Sequence, residues 1–134
     1  MRLFIYGTLL DPMTLARRSG DPGCPARRLA AQLHGWQRVA LPPGRWPTLR
    51  RHRGSAVDGA LVEVAAAAAH RLAAYEGDAY RLVPVVVATA SGNTAAKAWI
   101  APGGTRRPWK ESPCFKHHQH NPACGKTRST HPRC

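Results

Sequence analysis

Apolar side chains open the chain: Leu3, Phe4, Ile5 and Tyr6 follow one another without a polar break, and Gly7 ends the run. High strand propensity in that run predicts a first strand over residues 1 to 9, with the N-terminus tied into a sheet. A strand ending on glycine lets the main chain come close to a neighbour, because no Cβ intervenes. Asp11 then stands at an N-cap position with Pro12 in the first helical turn, and Gly20 supplies the stop. This predicts a short helix. Cys24 to Arg28 reads as a connector. Leu29 to Val39 sets Leu33, Trp36 and Val39 among polar residues and predicts a strand that bends at Gly35.

The middle of the chain changes character. Leu41 to Leu49 contains Pro42, Pro43 and Pro47, which predicts a loop without regular structure. The basic run Arg50 to Arg53 reads as a solvated continuation of that loop. Ala56 to Val64 alternates apolar and small residues and predicts a strand with a close approach at Gly59. An alanine run from Ala65 to Tyr75, with Leu72 and Tyr75 on one side, predicts a helix closed by Gly77. Leu82 to Ala90 is almost wholly apolar and rich in valine, the pattern of a buried strand. Ser91-Gly92-Asn93 supplies a hairpin turn, and Thr94 to Ile100 the return strand. No internal repeat is present.

At 134 residues the chain has the size of one domain with one core. No run of about 18 apolar residues is present, and the N-terminal apolar stretch is too short for a signal peptide, so the expected location is the cytoplasm. Net charge is +13, from 20 Lys and Arg against 7 Asp and Glu, and residues 101 to 134 hold 7 of the basic groups with only 1 acidic group. That balance predicts weak, salt-dependent association with polyanions but no specific nucleic-acid module. Three of the four cysteines (Cys114, Cys124 and Cys134) lie in this tail. Cys24 stands apart as a lone loop thiol, and the set is not a disulfide framework. Trp36, Trp46 and Trp99 read as core or pocket wall.

Two features carry candidate chemistry. If the chain turns after Gly7, the N–H groups of Gly7, Thr8, Leu9 and Leu10 converge, and converging amides bind anions or stabilise an oxyanion. Of the seven carboxylates, Asp11 reads as a helix cap, whereas Glu76 sits in the last turn of a predicted helix. There it faces the negative end of the helix dipole. Partial desolvation by Tyr75, Tyr80 and apolar strands would raise its pKa toward the range useful for general acid–base work.

Four short segments occur in order: Tyr6-Gly7-Thr8-Leu9, Arg45-Trp46-Pro47-Thr48-Leu49, Val57-Asp58-Gly59-Ala60-Leu61 and Tyr75-Glu76-Gly77-Asp78-Ala79-Tyr80-Arg81. Each alone is weak, but the series, over residues 2 to about 100, resembles the gamma-glutamylcyclotransferase-like family of the avirulence-induced-gene type. The resemblance implies an α/β (α+β) fold, a small mixed β-barrel with flanking helices. It also implies an enzyme that releases 5-oxoproline from a gamma-glutamyl amine or peptide, with Glu76 as catalytic acid–base. By the same likeness the amides of Tyr6, Gly7, Thr8 and Leu9 hold the substrate's polar end, and Tyr80 lines the pocket. No metal or other cofactor is implied, and the expected partner is a small gamma-glutamyl molecule. No membrane is expected as a partner, and the oligomeric state is left open. A non-catalytic binding module on the same barrel, or a basic nucleic-acid-associated protein, are the alternatives.

The family-like domain is drawn at residues 1–109. Arg107-Pro108-Trp109 resembles the start of a further family motif, after which residues 110–134 contain one large apolar side chain, Phe115. This basic Cys/His-rich tail has the composition of a reading-frame slip and is expected to be disordered. Cys114, His117, His118, His120 and Cys124 offer zinc donors, but their spacing matches no common zinc module.

Overall fold

The computed structural model describes residues 1–41 and 46–102. Among the described residues five strands are present: β1 (Arg2–Ile5), β2 (Leu29–Leu41), β3 (Trp46–Glu63), β4 (Arg81–Thr89) and β5 (Gly92–Ile100). Two α-helices join them, α1 (Pro12–Ser19) and α2 (Ala66–Glu76). The strands close into a barrel in the order β1-β3-β2-β4-β5, so the expected small mixed β-barrel with flanking helices is the fold.

The packing of β1 explains why Leu3, Phe4 and Ile5 are all apolar. Leu3 and Ile5 join a core cluster with Leu15 of α1 and Leu72 of α2, on the helix side of the barrel wall. Phe4 and Tyr6 join Leu33, Val57 and Val87 in the barrel interior. Successive side chains of a strand point to opposite faces, and here both faces are buried. The strand ends sooner than the sequence pattern suggested, because Thr8–Leu10 winds into a 3-10 turn.

β1 runs antiparallel to β3 from Arg2↔Glu63 to Ile5↔Ala60, and its parallel pairing with β5 at Leu3↔Lys97 closes the barrel. Gly59 stands beside that seam. A Cβ built on it would fall on the Ile5 carbonyl oxygen and within 2.8 Å of the Phe4 ring, so the predicted close approach is real.

The helix signals behave as read. The Asp11 carboxylate accepts from the Thr14 amide at 3.0 Å, and Gly20 ends α1 in the left-handed region at φ 71°. Such a cap contributes about 1 kcal/mol. Gly77 closes α2 with φ 88° and donates its N–H to Ala73 at 3.1 Å. Cys24 is corrected: it is no loop thiol but a fully buried member of the helix-side core, inside a 3-10 turn over Cys24–Arg27. Burial pushes its thiol pKa up.

The middle of the chain is where local reading failed. β2 and β3 pair from Leu29↔Leu61 to Leu41↔Trp46, with a register shift between His34 and Trp36 at the predicted bend. The run Arg50 to Arg53 is therefore strand rather than loop, and Pro47 pairs opposite Ala40. Groups that pair with a partner strand share one edge, so a residue's N and C=O point the same way in an antiparallel ladder. The Pro47 carbonyl accepts from the Tyr80 hydroxyl, so it faces away from β2 and the missing N–H costs no ladder bond. Residues 42–45 lie outside the described residues.

β4 also departs from expectation. Only Val85 and Val87 are buried, while Val86 is 61% exposed. The strand covers the barrel interior with one face, and an apolar outer face made it read as buried on both. The hairpin to β5 forms as predicted, ending at the Thr89↔Gly92 pair. The tail assigned to residues 110–134, with its candidate zinc donors, lies outside the described residues.

Candidate active site

The turn after β1 and the end of α2 meet at one rim of the barrel. The Thr8 hydroxyl lies 2.7 Å from the Tyr75 hydroxyl, one residue before Glu76. Glu76 is the last residue of α2 and half-buried, and the left-handed Gly77 turns the chain so that the Tyr80 amide donates to the Gly77 carbonyl at 3.2 Å. Only glycine reaches φ 88° without strain, which accounts for a glycine directly after the carboxylate.

Tyr6 occupies the interior side of the same place. Its hydroxyl donates to the Trp99 carbonyl at 2.5 Å, and its ring stacks with Phe4 at 6.2 Å. Burial pushes the phenol pKa well above the usual tyrosine range, and the nearby Tyr80 phenol and Glu76 carboxylate add to the shift. A hydrogen bond with Thr48 and the Arg38 cation act in the opposite sense. Tyr6, Tyr80 and Glu76, far apart in sequence, are thus near enough to feel one another's charge. Tyr6 stays neutral at physiological pH and serves as wall and donor, not as base.

Each predicted substrate contact has a defined place. Gly7 begins the 3-10 turn, and its carbonyl accepts from the Leu10 amide at 3.0 Å. That bond corrects one expectation: the Leu10 N–H is used within the turn and does not join the convergent set. Among the described residues nothing lies within 4 Å of the place where a Gly7 Cβ would stand. The Leu9 side chain is 2% exposed and packs in the helix-side core, so only its main chain can meet a ligand. Tyr80 donates its hydroxyl to the Pro47 carbonyl at 2.8 Å.

Sequence reading gave Pro47 and Thr48 no individual role. Pro47 holds Tyr80, and Thr48, fully buried, accepts from the Ala101 amide at 2.8 Å and donates to the Ala101 carbonyl at 3.1 Å. These bonds pin the start of β3 to the end of β5 beside Tyr6. Arg38 was missed altogether. It pairs with Leu49, a barrel-interior residue, and directly opposed residues share a face, so its side is known only from register. Among the described residues no three His, Cys, Asp or Glu side chains gather as a metal site, and no helix is long and apolar enough to cross a membrane.

Comparison with known proteins follows this geometry. A family model described as gamma-glutamyl cyclotransferase, AIG2-like, matches residues 3–118, running past Trp109, where the motif series ends. A solution structure from Arabidopsis thaliana superposes with a TM-score of 0.73 at 21% identity, covering 96% of this chain and 78% of the other. A gamma-glutamyl cyclotransferase superposes with a TM-score of 0.68 at 17% identity, over 95% of this chain and 85% of its own. An AIG2-like protein from Mus musculus gives a TM-score of 0.58 at 18% identity, over 83% and 86%. These likenesses concern the fold. No curated protein matches the sequence.

Proposed function

The chain belongs to the gamma-glutamyl cyclotransferase, AIG2-like family, and from that premise we propose that it releases 5-oxoproline from a gamma-glutamyl amine or peptide. The observation that supports this reading is the Thr8–Tyr75 bond, which ties the turn after β1 to the residue before Glu76. In this reading the amides of Tyr6, Gly7, Thr8 and Leu9 hold the polar end of the substrate, and Tyr80 borders the pocket.

The chemistry is intramolecular. Glu76 takes a proton from the substrate's α-ammonium, and the freed amine attacks the γ-carbonyl carbon to close a five-membered ring. The attacking nitrogen, now positively charged, gives up its second proton to solvent, the tetrahedral intermediate collapses as the bond to the leaving amine breaks, and Glu76 returns its proton to that amine. Holding the substrate bent supplies the rest of the rate, because amine and carbonyl already belong to one molecule.

Glu76→Gln tests the reading. The variant is expected to keep its melting temperature and lose about 10²- to 10⁴-fold in 5-oxoproline release. Full activity in that variant refutes the role of Glu76. No release by the wild-type chain from gamma-glutamyl dipeptides, gamma-glutamylamines or ε-lysine conjugates refutes the activity and leaves a binding module.

A further inference from the structure

A second cleft lies away from the Glu76 site and shares none of its residues. Its volume is about 950 Å³, within the range of ordinary small-molecule sites. It opens where β2 and β4 part, for those strands pair only through Ala31↔Thr89 and Gln32↔Ala88. Beyond that point Trp36 on β2 faces Pro84 to Val86 on β4, and Leu33 and Val85 of the barrel interior line the gap.

We infer that this cleft is a binding site for an acyl-chain carboxylate. Two observations carry the ligand class. The floor is hydrocarbon: Leu33, Pro84, Val85, Val86 and Ala96 offer no side-chain donor or acceptor. Val86, 61% exposed, is one of four large hydrophobic side chains exposed among the described residues, so covering it with an alkyl chain removes apolar surface from water.

The rim is cationic. Arg51, Arg2 and Lys97 surround the cleft with one carboxylate, Glu63, which Arg2 already pairs at 3.7 Å. The Arg51 guanidinium lies over the Trp36 ring, 5.0 Å from its centroid. A ring contact of that kind holds the group in place while leaving N–H donors for a carboxylate fork. An apolar floor with excess positive charge at its edge is complementary to one anionic head on one alkyl chain.

Decanoate, kept below its micelle concentration, is the probe, titrated into the full chain and followed by valine methyl and indole NMR signals. Saturable shifts at Val85, Val86 and Trp36, with Tyr6 and Glu76 unmoved, are expected. Two rim charges reversed together, Arg51→Glu with Lys97→Glu, weaken that binding about tenfold, with 5-oxoproline release unchanged. Val86→Asp, at an exposed position, removes saturation. Equal affinity for decanol overturns the inference, as do shifts spread evenly over the surface. Binding to anionic phospholipid vesicles with no response to decanoate also overturns it.

Discussion

Thr8 and Tyr75, 67 positions apart, share a hydrogen bond of 2.7 Å, and through it the turn after β1 meets the last turn of α2. Neither residue has an acid–base task. Their bond sets the distance between the two segments that do the proposed work, so loosening it affects catalysis before it affects the fold.

Thr8→Val and Tyr75→Phe each remove one partner. Each is expected to cost about 0.5–1.5 kcal/mol of stability. The double variant is expected to cost less than the sum, because both delete the same bond. Chemical denaturation of all four proteins measures this. Strict additivity would show that the two hydroxyls do not act on each other in solution.

Gly7→Ala separates binding space from packing. No described residue comes within 4 Å of the new methyl group, so stability is expected to change by less than about 1 kcal/mol. In the proposed reading the methyl group intrudes where substrate lies, and KM for the gamma-glutamyl substrate rises. A variant with unchanged kinetics places the substrate elsewhere.

Gly59→Ala is the opposite case. Its Cβ would fall on the Ile5 carbonyl and the Phe4 ring, and that main-chain atom cannot retreat without opening the β1–β3 seam. The expected loss is about 3 kcal/mol or more, read as a lower midpoint of unfolding. A melting curve that overlays the parent's would sink the close-approach account.

Alkaline pH tests the burial of Tyr6. Its folded pKa lies far above the unfolded value near 10.0, chiefly through burial. The unfolded chain therefore gives up this proton first. The stabilisation is complete below about pH 10 and is lost as pH rises beyond it. Unfolding monitored against pH should show this decline, and Tyr6→Phe should flatten it while losing the bond to Trp99. A phenol that ionises in the folded protein along with an exposed tyrosine contradicts the burial.

The parts of the fold that were legible share a short range. Asp11, Pro12 and Gly20 delimit α1, Gly77 ends α2, and Gly92 makes the hairpin, all through groups within about four residues of one another. The barrel and the family were legible through the ordered motifs rather than through periodicity. The errors lay where a distant strand decided the outcome. Arg50, Arg51 and Pro47 carry loop signals, yet β2 supplies them with a ladder.

The candidate site divides in the same way. Tyr6, Gly7, Thr8, Leu9, Glu76 and Tyr80 could be named from the ordered motifs, whereas the bonds of Thr48, the place of Arg38 and the tie between Thr8 and Tyr75 could not. The sequence by itself determined where helices start and stop, which strands are apolar and which family the chain resembles, because caps, turns and hydrophobic period are local chemistry. Only the tertiary structure decided which face of each strand is buried, that Gly59 must admit β1, and that Glu76 and Tyr80 come within electrostatic reach of Tyr6. Those outcomes depend on strand register and barrel closure, where a one-residue shift would turn Arg38 and Leu49 to the other face.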